Sequence, residues 1–552
     1  MKNYKVKGRV VDITKKKIYR GEIMVKDGKI YKISRTPDTK EENDRFIMPG
    51  LVDAHVHIES SMLTPGYFAR ECVRHGTVAV VSDPHEIANV MGMEGIDYMI
   101  REGKKVPVKY AFGASSCVPA TELETSGAKL GSDKIRELMK REDITYLAEM
   151  MNFPGVITRQ RDVIEKINIA REFGKPIDGH APGLKGEPLK KYIGEGISTN
   201  HEASTLEEAE EKINNGMKIL IREGSAARNF EALIPLMKSY AASLMFCTDD
   251  MHPDDLINGH INMLVKRAVR KGYDLFDVLR AATMNPVNHY GLNVGLLREG
   301  DPADFIVVDH PENMQVLETY IEGVCVYREG QTMFHVEKPG IINRFHSSSL
   351  HDSDIRVKAG KGKMIVIQAV DGELLTERII CEPKREGEYV VADPGRDLLK
   401  LVYINRYRSM PPAVAFVRGF GLREGAFGSS ISHDSHNILV VGVNDEDIYD
   451  VARVIMENRG GVVAKKGEKT DLLPLPVAGL MSDRDAPWVA SRYQGINRLI
   501  RSMGSTLHAP VMTLSFLSLL VIPHIKLGEK GLFDTETFSF IPMFIPNGGE
   551  NT

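Results

Sequence analysis

Between Leu51 and Asp249, eight short apolar segments end one after another, near His57, Asp83, Ser115, Glu149, His180, His201, Ile221 and Asp249. The ends fall roughly 20–35 residues apart, the length of one strand-plus-helix unit. Eight such units are what a closed parallel barrel requires, and such barrels carry their chemistry at the C-terminal ends of the strands. The polar residues of this stretch gather at those ends. The expected fold class is therefore α/β, with a (β/α)8 TIM-type barrel over residues 51–295. Its seventh unit, "GMKILIREGSA", is the shortest.

The flanks have a different texture. Residues 1–50 read as short alternating strands, with Asp27-Gly28 as a hairpin turn. A helix is expected to close at Asn285-Pro286, after which "LREGDPADFIVVD" and "VCVYREGQTM" return to strand and turn. Residues 1–50 and 296–345 are thus expected to pair as one small β domain. Residues 350–552 mix strands ("KMIVIQAV", "AVAFVRGF", "NILVVGV") with the amphipathic "DEDIYDVARVIMENRG", as a separate α/β domain does. The run "VMTLSFLSLLVIPHI" is too short for a bilayer and contains a proline, so a buried helix is expected there.

Composition narrows the partners. A net charge of -4 over 552 residues gives no basic face for nucleic acid. No apolar leader follows the basic residues at the start, and the five cysteines are scattered and odd in number. Both features lead us to expect a cytoplasmic protein without disulfides, acting on a small molecule and not at a membrane.

The strand ends hold a metal-type donor set. His55 and His57 are two apart, so on a strand their imidazoles point the same way. Glu149, His180, His201 and Asp249 each follow an apolar run at another strand end. Four histidines and two carboxylates on five strand ends suit two divalent cations, with Glu149 between them; nitrogen and oxygen donors without thiolate fit Mn, Fe or Zn.

These motifs also carry a resemblance. "PGLVDAHVHIESS", the later His180, His201 and Asp249, and "GLLREGDPADFIVVD" resemble the amidohydrolase superfamily of metal-dependent hydrolases. More narrowly, "DAHVHIESSMLTP", "HGTVAVVSDPHEIANVMG", "EMMNFPGV" and "SHDSHNILVVGV" are similar to its adenine deaminase family, over nearly the whole chain. The resemblance implies a distorted (β/α)8 barrel and hydrolysis of adenine to hypoxanthine and ammonia. It implies two divalent metal ions, with manganese or iron favoured, and a homo-oligomer. The implied ligands are His55, His57, Glu149, His180, His201 and Asp249. Many superfamily members bridge their metals with a carboxylated lysine on the fourth strand; Glu149 stands there instead.

Deamination at C6 needs an activated water, a base for its proton, and a proton at N1. Asp249 is the expected base. Some ring-deaminating relatives carry a glutamate three residues after the fifth-strand histidine, where this chain has Gly183. Glu86, in "SDPHEIAN", or Glu202 is expected to replace it. Asp83 and His85 in that segment, with His433 and His436 in "GSSISHDSHN", are candidate substrate contacts; the latter segment, with Asp434, could instead bind a further cation. The plainer readings are a helix start at Asp83–Glu86 and a polar turn at 433–436, where alternation would point His433 away from His436. Trp488, the single tryptophan, reads as core, and Glu59 as a mouth or loop residue without an assigned role. Two other functions share this site: hydrolysis of another cyclic amide or amidine, and a non-catalytic scaffold on the same barrel.

Overall fold

The computed structural model describes residues 3–37, 45–346 and 349–546. Eight parallel strands form the barrel wall: Leu51–Val56, Thr77–Ser82, Lys109–Ala114, Ile144–Met150, Ile177–Gly179, Thr199–Asn200, Lys218–Arg222 and Leu244–Cys247. The first five are hydrogen-bonded in that order, as are the last three. Most of their residues are buried on both faces, which is why they read as continuous Val, Ile and Ala runs instead of alternating ones. The ring closes where Asp249 N donates to His55 O at 2.9 Å and His57 N donates to Asp249 O at 3.3 Å. At the seam between the fifth and sixth strands, Ser198 N donates to Ile177 O at 2.9 Å. Intervening helices are capped by their own sequence: Thr205 accepts from Glu208 N, and Asp274 from Phe276 N and Asp277 N.

An eight-stranded sheet flanks the barrel. Phe46–Pro49 lies antiparallel to Phe305–Val308 and parallel to Tyr4–Asp12, so strands from both ends of the barrel share one sheet. Asp27 (φ 49°) and Gly28 (φ 78°) both take the left-handed conformation that a two-residue hairpin turn needs. A nine-stranded sheet organises the last part of the chain, with helices Asp445–Glu457 and Ala486–Ser502 packed on it.

Two expected elements differ. The helix around Asn285-Pro286 does not close there; it runs Met284–Tyr290, with Pro286 in its first turn, where its missing N–H is not needed. The apolar run after Ala509 is buried but is not one helix. It is helical only over Pro510–Ser515 and Phe516–Ser518, then continues as irregular chain. Among the described residues, no helix is long and apolar enough to cross a membrane.

Lys526 lies on the strand Ile525–Gly528, just after this irregular stretch. It is fully buried, and its Nζ donates to Leu374 O at 2.7 Å. Burial pushes its ammonium down to about 7. Between that value and the ordinary 10.5 the unfolded chain binds more protons, so this group's contribution to stability rises with pH across that window and is lost as pH falls toward 7. Replacing Lys526 with Met is expected to flatten the rise in stability between pH 7 and pH 10. Urea unfolding at both pH values reads it; an unchanged slope would mean the lysine is not titrating there.

Candidate active site

The two histidines of "DAHVH" point into the mouth together. His55 Nε2 and His57 Nε2 are 3.2 Å apart. His57 Nδ1 lies 3.1 Å from Asp83 O, a bond that places the proton on Nδ1 and leaves the Nε2 lone pair facing inward. Around that lone pair stand Glu149 Oε1 at 3.3 Å and Asp249 Oδ1 at 3.2 Å. The other oxygen of Glu149 reaches the opposite side: His180 Nδ1 at 2.9 Å and His201 Nε2 at 3.2 Å. Glu149 thus joins two half-sites. Two donors about 2.1 Å from one cation stand roughly 3.0–3.4 Å apart at angles of about 90–109°. The spacings observed here match. The donor set therefore fits divalent metal ions.

Supporting bonds fix these ligands. Asp53, at the foot of the first strand, accepts from Thr248 N at 3.0 Å and from Thr248 Oγ1, and His260 Nε2 lies 3.0 Å from it. That pins the eighth strand to the first and sets Asp249 against His55. Asp249 itself sits at φ 55°, left-handed, and is held by the two backbone bonds that close the ring. Tyr192 OH accepts from His180 N at 3.0 Å and donates to Met150 O at 2.8 Å. Asn229 Nδ2 donates to His201 O at 3.0 Å.

Arg222 was not foreseen. It ends the seventh strand, one residue beyond Ile221, and reaches into the mouth. Its guanidinium grips Glu202 through both oxygens and also bonds Asp249 Oδ2. Burial works hardest against both carboxylates, but the Arg222 charge and the neighbouring histidines together outweigh it and hold each well below its ordinary range.

The second-strand segment carries Asp83, His85 and Glu86, all buried. His85 Nδ1 is 3.1 Å from Asp83 Oδ2 and 3.4 Å from Glu149 Oε1. Asp83 does not cap the helix His85–Met91, whose first turn has no side-chain cap of its own. Glu59 does so from 28 residues upstream, accepting from Ile87 N at 3.1 Å. Glu59 is therefore a buried bracket for the helix that carries Glu86, not an open mouth residue. Burial, then the neighbouring Glu86, raise it to about 8. Glu59→Ala is expected to cost about 1 kcal/mol, as loss of a helix cap does, while Glu59→Gln keeps the acceptor and most of that stability. Thermal denaturation of both separates a cap from a bystander; equal melting temperatures for the Ala variant and the parent would reject it.

The C-terminal part supplies the roof. His433 and His436 do not diverge as strand alternation implied. Residues 433–436 form an irregular turn with His436 at φ 53°, and the two rings lie 5.6 Å apart. Both face Glu86: His433 Nδ1 is 3.3 Å from Oε1, and His436 Nε2 is 3.8 Å from Oε2. Asp434 Oδ1 is 3.8 Å from His85 Nε2. Leu374, Phe516, Leu519, Val521 and Ile522 complete an apolar ceiling, with Phe516 stacked on His433 at 4.7 Å. Phe516, Leu519, Val521 and Ile522 belong to the run expected as a buried helix; they cover the pocket instead. Trp488 lies outside this pocket, in a separate cleft with Tyr67 and Arg484. Gly183 has φ +67° and donates to Glu208 Oε1, a left-handed position that disfavours the glutamate some relatives place there.

A parallel barrel with histidines and carboxylates converging at its strand ends is the architecture of a metal-dependent hydrolase, and residues 46–326 match the amidohydrolase family. Residues 373–539 match the adenine deaminase C-terminal domain. Proteins called adenine deaminase are similar along the full length. That of Methanosarcina mazei is 51% identical over 99% of this chain and 100% of its own. That of Salinibacter ruber is 52% identical over 98% and 99%, and that of Borreliella burgdorferi 46% over 98% and 99%. The chain belongs to the adenine deaminase family.

Proposed function

We propose that this chain hydrolyses adenine to hypoxanthine and ammonia, using two divalent cations. His55, His57, Glu149 and Asp249 would hold one, and Glu149, His180 and His201 the other. When bound, such ions lower the pKa of a coordinated water from 15.7 to about 7 and so supply a nucleophile at neutral pH. Manganese or iron is favoured and zinc fits the donors equally. The observation that carries the reading is the placement of Glu149, one oxygen toward each half-site.

The protein's own groups divide the proton work. Asp249 faces the half-site with Oδ1 while Arg222 holds Oδ2, so it is ionised and aimed to take a proton from the attacking water and return it to the leaving amino group. Glu202 is locked as a carboxylate by the two-toothed Arg222 grip, which disqualifies it as the N1 donor. Glu86 suits that task. Ser60 Oγ lies 3.0 Å from Glu86 Oε1 and 2.5 Å from Asp250 Oδ1, and one hydroxyl proton cannot serve both carboxylates. Burial first, opposed by His433 and reinforced by Asp250, raises the Glu86 carboxyl and favours its protonated form. The apolar ceiling suits the faces of a flat ring, with His85 and His433 at its polar edge; Asp83 and His436, proposed as contacts from the sequence, lie outside the pocket lining, Asp83 against His85 and His436 against Glu86. A homo-oligomer is part of the same proposal.

The test is release of hypoxanthine and ammonia from adenine by chelated protein reloaded with Mn, Fe or Zn. No product from adenine with any metal, alongside opening of a cyclic imide, would overturn the reading.

A further inference from the structure

The second half-site has fewer protein donors than the first. His55, His57, Asp249 and Glu149 Oε1 surround one point, whereas the other has only His180, His201 and the shared Glu149 Oε2. A fourth oxygen stands beside it. Glu202 Oε1 is 3.3 Å from His201 Nε2 and 3.6 Å from His180 Nδ1. Those separations continue the series set by Glu149 Oε2, at 2.9 Å and 3.2 Å from the same two nitrogens. Donors around a single cation with bonds of about 2.1 Å are spaced roughly 3.0–3.4 Å apart; the contacts to His201 fall within that range, and those to His180 lie just below and just above it.

Protonation gives a second argument. To ligate, His180 must offer the lone pair of Nδ1 and His201 that of Nε2, so neither nitrogen can then donate a hydrogen bond. A carboxylate oxygen this close to both would face two lone pairs, a repulsion that a cation among the three converts into attraction and that the Arg222 bond to the same oxygen does not remove. His201, Glu202 and His180 are closely grouped, and each is mostly or fully buried. Arg222 holds Glu202 in place through both carboxylate oxygens, so the side chain needs no rearrangement to bind.

Resting on the two-cation reading above, we infer that Glu202 is a protein ligand of the second cation, completing a set with Glu149, His180 and His201. Arg222 is then a positioning residue. It bonds Glu202 on one half-site and Asp249 Oδ2 on the other, so one guanidinium orients a carboxylate for each ion. The adjacent pair His201-Glu202 places both donors on one strand end, with Asn200 Oδ1 accepting from Glu202 N at 3.2 Å to turn the chain there.

Metal stoichiometry tests this without reference to activity. Apo-protein is titrated with Mn²⁺, free ion is followed by electron paramagnetic resonance, and bound metal is counted after gel filtration. The parent is expected to hold two ions; fewer would sink the two-cation reading itself. Glu202→Gln is expected to keep the first ion and weaken the second by about 100-fold or more, beyond the 10- to 100-fold typical of residues that only support a ligand. Because Gln deprives the buried Arg222 of its Glu202 charge and leaves it the bond to Asp249, the double variant Glu202→Gln with Arg222→Met removes both charges together. A ligand role predicts that the double variant still loses the second ion, while Arg222→Met alone keeps it through the remaining Glu202. Two tightly bound ions in the double variant would overturn the inference and leave Glu202 as a partner of Arg222 only.

Discussion

Glu149→Ala is expected to release metal from both half-sites and lower kcat/KM for adenine by about 10³-fold or more, because water activation depends on the cations. The expectation follows from its two oxygens, one 3.3 Å from His57 Nε2 and the other 2.9 Å and 3.2 Å from His180 and His201. No neighbouring group can take over both positions. Glu149→Gln separates shape from charge. It keeps the volume and one oxygen acceptor but removes the negative charge between two dications, so it should retain at most one ion. Elemental analysis of the purified variants, with circular dichroism to verify folding, gives the readout. Two ions and parental turnover in both variants would show that the bridge lies elsewhere.

The barrel and most of this donor set were legible because strand ends are punctuated. An apolar run stops, a polar residue follows, and the interval repeats. His55 and His57 could be paired from strand alternation alone, and the structure brings Glu149, His180, His201 and Asp249 to the same mouth. What escaped was set by tertiary contacts that no local pattern encodes. Arg222 was missed by one residue: taking Ile221 as the strand end put attention on the face opposite the mouth, since a shift of one reverses the side chain. Glu59 caps a helix 28 residues away, which its neighbours in sequence do not announce.

The roof was illegible for a different reason. Phe516, Leu519 and Ile522 are apolar and buried, and Val521 partly so, whether they cover core or a pocket. The difference lies in the polar groups beneath them, contributed by residues hundreds of positions earlier. His433 and His436 were assigned opposite directions because alternation holds in strands, and residues 433–436 form a turn. Its irregularity brings both rings to Glu86, joining the last domain to the barrel at the edge of the pocket proposed to supply the proton.

That edge carries the second large effect. Glu86→Gln is expected to lower kcat for adenine by about 10²- to 10⁴-fold, the range for losing a positioned general acid, with KM changed only a few-fold. Glutamine keeps the size of the side chain, an acceptor for Ser60 and the burial under His433. It cannot deliver a proton to N1. The parent needs Glu86 protonated, so activity is present below the raised Glu86 pKa and is lost as pH rises through it; the variant should lack that alkaline limb. Metal content must stay at the parental value, because Glu86 lies outside the set formed by Glu149 and its histidines. A Glu86→Gln protein that turns over within tenfold of the parent, with the same alkaline limb, would move the proton donor to another group of the pocket. His433, 3.3 Å from Glu86 and stacked on Phe516, is the one the geometry would then favour.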